Sequence, residues 1–248
     1  MYPSPQERVI INAAEKLMID TMARYDPSHD HFHVQRVRKT AIAIAREVAA
    51  TTDAKPDLLT VELATLLHDV LDKKYVSHTV AADPYAYFLP FFTSTRPGPH
   101  PEHLETEGSD STIDLIADGR ARTIARIVDN VSWSNEKRLR AAGMWDDWHR
   151  ECVELHCVQD ADRLDAIGAF GIMRCSAYNA VTGHALHTPA GDPGHADSAI
   201  QHFHDKLLHV AGQLKTEPGK RMGAKRHQAL VAFLEAVDEE YEAAIPPS

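Results

Sequence analysis

LATLLHDVLDKKY, residues 63–75, carries an apolar run into an imidazole, a carboxylate and a pair of lysines. The segment that begins after Pro56 places Leu59, Leu63, Leu66, Leu67 and Val70 on one helical face. Proline is expected at the first position of this helix, where its missing N–H costs nothing. An apolar helix that ends in His68-Asp69 must offset the desolvation of a carboxylate. A divalent cation does so, and a buried arginine would do so too. Neighbours on a helix project about 100° apart, so both side chains reach one ion only at a helix end or in a cleft crossed by other helices.

Helical spacing extends outward from this stretch in both directions. Val9, Ile10, Ala13, Ala14, Leu17 and Met18 form one stripe, and Val34, Val37, Ala41, Ile44, Ala45 and Val48 form another. Periodicity resumes at Thr112, Leu115, Ile116, Ile124, Ile127 and Val128, then runs through Trp148, Cys152, Val153 and Leu155 into Gln159-Asp160. Two last stretches cover Ile200 to Leu214 and about Gly219 to Tyr241. No strand alternation, repeat or low-complexity tract stands out, so the expected class is all-α. Residues 77–110 break the pattern with Pro84, Pro90, Pro97, Pro99 and Pro101, a density that excludes a long helix. They are expected to form a long loop or lid, either functional or a tolerated surface insertion.

The net charge of -10, from 26 Lys+Arg against 36 Asp+Glu, repels a phosphate backbone and argues against a nucleic-acid partner. A small anionic substrate remains open, because a bound cation and a few local Lys or Arg dominate the field inside a cleft. Cys152, Cys157 and Cys175 form no C-x-x-C pair, which argues against a disulfide framework and a zinc knuckle. The polar N-terminus MYPSPQERVIINAAEK lacks the apolar core of a signal peptide, and no apolar run spans a bilayer. A soluble cytoplasmic protein with no membrane partner is expected. The 16 histidines are an unusual resource for metal ligation or proton transfer.

Two further clusters carry chemistry. In SHDHFHVQRV, residues 28–37, His29 and His33 share a helical face, as do His33 and Arg36. An N-cap at Ser28 or Asp30 with solvated histidines accounts for this polar start; against it, His33 precedes an apolar stripe and so points partly inward. In VQDADRLDAIGAFGI, residues 158–172, Asp160, Asp162 and Asp165 sit among residues suited to burial. They repel one another unless cations intervene, with Arg163 or a metal ion as the candidates.

The order His, His-Asp, Asp across helices resembles the HD-domain metal phosphohydrolases. HDHFHVQRV, LATLLHDVLDKKY, the NVSW near 130, VQDADRLDAIGAFGI, AIQHFHDKLLHV and TEPGKRMGAKRH look like the small members that include nucleoside triphosphate pyrophosphohydrolases. Only the Pro-rich 84–110 region and residues 134–150 look like insertions. The resemblance implies a single HD domain over 1–248, with its core in about 5–76 and 112–243. It implies one divalent ion held by His33, His68, Asp69 and Asp162, a mixed N/O set suited to Mn²⁺ above all, or to Mg²⁺, Co²⁺, Ni²⁺ or Fe²⁺. Asp72 would orient or deprotonate the attacking water. Lys74 and Arg36 would contact phosphate, although a salt bridge to an aspartate is the competing role for Arg36. The implied reaction is hydrolysis of a phosphoric ester or anhydride, with a nucleoside triphosphate giving monophosphate and pyrophosphate.

Two alternatives belong beside it. HD scaffolds also resemble di-iron oxygenases, for which His78, His100 and His103 would have to bind a second iron. A non-catalytic nucleotide-binding HD domain is the other. The histidines at 184, 187, 195, 202, 204 and 209 are read as solvated, with His202 and Lys206 at most flanking the cleft. Oligomeric state is not legible in the sequence; a homodimer is compatible with it.

Overall fold

The computed structural model describes residues 2–71, 76, 79, 82–96 and 113–243. Among them are only helices and turns, so the class is all-α. Helix α1 spans Pro5–Met22, α2 His31–Thr51, α3 Leu58–Leu67, α4 Pro84–Ser94, α5 Arg120–Asn130 and α6 Trp133–Ala141. Then follow α7 (Asp147–Glu151), α8 (Val153–Asp165) and α9 (Gly168–Thr182). Helix α10 (Ala199–His202) widens into a π-helical turn, Phe203–Leu207, and continues as α11 (Leu208–Val210), and α12 spans Glu217–Ala243.

The centre of the packing is α3, in which every residue from Leu59 to Leu67 is buried. It lies against α1, α2, α5 and α8, and a helix so enclosed must be apolar all round. Each of its leucines contributes roughly 1.5–3 kcal/mol by leaving water. Its one acid, Glu62, is neutralised by Arg38, whose Nε donates to Oε1 at 2.7 Å. Helix α2 packs on α3 and α8 through His33, Val34, Val37, Ala41, Ile44, Ala45 and Val48.

Several helix starts differ from the sequence reading. Helix α3 begins at Leu58 rather than at proline, because the Asp57 carboxylate accepts from Thr60 N at 2.8 Å and so takes the cap, leaving Pro56 outside. Helix α5 begins at Arg120, after Gly119 at φ 86°, instead of continuing from Leu115 and Ile116. The Pro-rich segment is not wholly loop, since α4 occupies Pro84–Ser94. Asp83 caps it, Pro84 occupies its first turn, and buried Phe88, Phe91 and Phe92 at i, i+3, i+4 hold it against α5 despite Pro90. No described helix is long and apolar enough to cross a membrane, and Cys152, Cys157 and Cys175 are free.

Asp160 fastens α8 to α12. Its carboxylate accepts from Lys215 N at 2.9 Å, Thr216 N at 2.7 Å and Thr216 Oγ1 at 2.7 Å, just before α12 starts. Gly219 makes room for it, because a Cβ there would overlap the Asp160 carboxylate and lie 2.8 Å from Thr216 Oγ1. Gly219→Ala is therefore expected to destabilise the protein by about 1–3 kcal/mol in chemical denaturation.

Candidate metal centre

Asp30 caps α2 by accepting from His33 N at 2.9 Å, which sets His33 in the first turn facing inward. Its ring is 1% exposed, and Nδ1 lies 2.7 Å from Asp165 Oδ2. An ionised carboxylate accepts only, so Nδ1 carries the proton donated to it, and Nε2 is left for another partner. His68 reaches the same state by a different route. It follows the last residue of α3, and its Nδ1 lies 2.7 Å from the Thr65 carbonyl, which also accepts only. Both rings thus present Nε2 to one point, the end of the apolar helix, where adjacent side chains can converge.

Two carboxylates close on that point. Asp69 Oδ2 lies 3.3 Å from His33 Nε2, and Asp69 Oδ1 lies 3.4 Å from His68 Nε2. Asp162 Oδ1 lies 3.5 Å from His33 Nε2 and 3.8 Å from His68 Nε2. Donor atoms of His33, His68 and Asp162 all fall within 4.8 Å of one another. His33 Nε2, His68 Nε2 and Asp69 Oδ2 are buried and have no hydrogen-bond partner. Buried polar atoms without partners are rare because each costs about 1–3 kcal/mol, so three at one point mark a place for a shared ligand.

The local charge points the same way. Burial and Arg174 oppose a proton on His33, yet its contacts with Asp162, Asp165 and Asp69 pull the ring up to about 10. Burial likewise resists the Asp69 and Asp162 anions, but His68 and His33 hold both below the usual carboxylate range. Carboxylates crowded this closely require positive charge between them. Two imidazole nitrogens and two carboxylate oxygens are a donor set that a first-row divalent ion accepts.

The three aspartates of α8 have separate fates, as helical geometry requires. Asp162 and Asp165, three apart, share the face turned to the centre, whereas Asp160, two residues before Asp162, points away to α12. Arg163 favours the Asp160 anion through its charge, while its direct ion pair is with Glu136, to whose Oε2 its Nη2 donates at 2.6 Å. Arg36 makes the salt bridge that competes with a phosphate contact. Its Nε and Nη2 fork onto Asp165 at 2.8 and 2.9 Å, and its guanidinium lies 4.3 Å over the Phe170 ring. Asp165 itself is pushed up by burial but brought down to about 2 by its bonds to His33 and Arg36. Asp165→Ala is expected to weaken binding of a divalent ion by about 10–100-fold, measured by calorimetry, because His33 loses the acceptor that orients it.

Asp72, Lys74, His78, His100 and His103 lie outside the described residues. The centre opens into a cavity of about 680 Å³ that sequence reasoning did not outline. Arg138, Arg163, Arg174 and Lys206 line it, as do His202 and the first turn of α6, Ser132–Asn135. Arg174 is held in place by donating from Nε to Ser28 O at 2.7 Å. The sequence signals for this wall were the placement of His202 and Lys206 beside the cleft and the NVSW segment near 130.

No family model matches the chain. It is 30% identical over 223 residues to the uncharacterized protein L803 of Acanthamoeba polyphaga mimivirus, covering 80% of this chain and 82% of that protein. It is 27% identical over 216 residues to the uncharacterized protein YpgQ of Bacillus subtilis, covering 86% and 84%. A crystal structure of YpgQ in complex with ADP superposes with a TM-score of 0.67 at 22% identity, over 97% of each chain. An HD-superfamily hydrolase of Bacillus thuringiensis superposes with a TM-score of 0.65 at 24% identity, over 96% of this chain and 99% of that one. The chain therefore belongs to one family with L803, and its all-helical architecture, with the His, His-Asp, Asp order brought to one point, shares the fold of an HD-superfamily hydrolase.

Proposed function

We propose that the protein is a metal-dependent phosphohydrolase acting on a nucleotide, and that it cleaves a nucleoside triphosphate to monophosphate and pyrophosphate. The observation that carries this reading is the convergence of His33 Nε2, His68 Nε2 and Asp69 Oδ2, all buried without a hydrogen bond, in a cation-lined cavity. His33, His68, Asp69 and Asp162 would hold one divalent ion, Mn²⁺ by preference. A bound ion supplies Lewis-acid polarisation of a phosphoryl oxygen and a more acidic water. Asp165 and the Thr65 carbonyl keep the two rings in the tautomer that leaves Nε2 available. Arg174 and Lys206, on the cavity wall, would balance the negative charge that grows on phosphate oxygens as the bond breaks. Asp72, as the residue guiding water, and Lys74, as a phosphate contact, belong to the proposal through the family pattern. The ADP complex of YpgQ supports a nucleotide as the ligand class.

A panel of nucleotides and sugar phosphates, assayed with Mn²⁺, Mg²⁺ and Co²⁺ and read separately for phosphate and pyrophosphate, tests the proposal. Pyrophosphate release from triphosphates, strongest with Mn²⁺, is the expected pattern. Turnover that persists in chelator would refute it.

A further inference from the structure

The NVSW segment has no part in the metal centre, yet it lines the same cavity. It forms the corner between α5 and the nine-residue α6. Ser132 occupies the N-cap position, but its side chain makes no cap bond. The first intrahelical bond is Glu136 N to Ser132 O at 3.0 Å, and no described residue accepts from the N–H groups of Trp133, Ser134 and Asn135. These N–H groups, and the hydroxyls of Ser132 and Ser134, belong to residues that line the cavity. A helix start with this many open N–H groups is suited to an anion.

Independent observations point to a ligand at this place. Arg163 is 3% exposed, lines the cavity, and leaves its Nε–H buried without a partner. Its Nη2 is fixed on Glu136, in the first turn of the same helix, and its Nη1 on Gln213 O at 2.8 Å. Arg138, one turn further along α6, also lines the cavity, with Nε and Nη2 held on Asn135 Oδ1 at 3.2 and 2.7 Å. Asn135 is anchored in turn by donating to Asp129 O at 2.8 Å. Two carboxylates oppose this positive field, Asp129 on the cavity wall and Glu136 beneath it, but Glu136 is shared among Arg163, Lys215 and Arg140, so cations outnumber anions around the helix start.

The corner is rigidly related to the metal centre. Gln159 donates to Asn130 O at 2.7 Å, tying it to α8 one turn before Asp162. We propose that the first turn of α6, with Arg138 and Arg163, is a second phosphate subsite, one that grips the outer phosphates of the substrate and retains pyrophosphate after cleavage. The proposal rests on the nucleotide phosphohydrolase reading above, and it assigns a site that needs no metal.

Calorimetric titration of the full chain with inorganic pyrophosphate in the presence of EDTA separates the two ideas. Wild-type protein and His68→Ala are expected to bind it alike. Arg138→Gln should weaken binding by about tenfold through loss of a charged donor. Ser134→Asp is the decisive variant. A carboxylate in the first turn favours the helix, so the fold is kept, while it repels the anion; binding should again fall about tenfold or more, with an unchanged or higher melting temperature. Absence of pyrophosphate binding to the wild type in EDTA, or equal binding by Ser134→Asp, would overturn the subsite. Retained binding with no turnover of any nucleotide would instead overturn the phosphohydrolase reading.

Discussion

Asp69→Ala is expected to lower the proposed hydrolysis by about a thousandfold, since Lewis-acid stabilisation of several kcal/mol would be lost at about 1.4 kcal/mol per factor of ten. The carboxylate sits 3.3–3.4 Å from both imidazole Nε2 atoms, so its removal takes away one donor and the charge that holds the rings together. A folding defect is distinguished by melting curves. An ion that binds only the folded state would stabilise the wild-type protein by about 2.7 kcal/mol at one hundred times the dissociation constant. The variant should melt cooperatively but at a temperature that no longer responds to Mn²⁺. Loss of activity with an intact Mn²⁺ response would place the ion elsewhere.

Glu136→Ala is expected to cost about 3–5 kcal/mol of stability. Glu136 is 3% exposed and joins three cations: Arg163 at 2.6 Å, Lys215 at 2.7 Å and Arg140 at 2.8 Å. Truncation leaves Arg163 and Lys215 in the interior without their shared anion. The pH dependence follows from the same contacts. Burial raises the Glu136 carboxyl, but Arg163 and Lys215 outweigh it and bring the group down to about 2. A depressed acid contributes stability above its unfolded value, near 4.5, and that contribution fades as pH falls toward 2. Urea midpoints of wild type and Glu136→Ala should therefore differ widely at neutral pH and draw together near pH 2.

The sequence made the central helix legible because enclosure on every side demands an unbroken apolar run. It placed His68-Asp69 at the end of that run, where the structure puts the doublet. His33 was ambiguous among neighbouring histidines until Asp30 took the cap and turned its ring inward. Spacing could have separated the three aspartates of α8, since only residues three or four apart share a face, and that periodicity singles out Asp165 as the partner of Asp162. What could not be read was any contact between distant segments. Arg36 reaches Asp165 across 129 residues, and Arg163 reaches Glu136 across 27. The cap at Asp57 rather than proline, and an aromatic face stabilising a helix through Pro90, are cases in which a local contact overrode a general propensity.

The central claim, that these residues hold one ion, is tested most directly by titrating chelator-treated protein with Mn²⁺ and counting sites by calorimetry. One ion per chain in the wild type and none in His68→Ala is the result predicted by two Nε2 atoms and two carboxylates meeting at a single point. No binding by the wild type, or undiminished binding by His68→Ala, would contradict it.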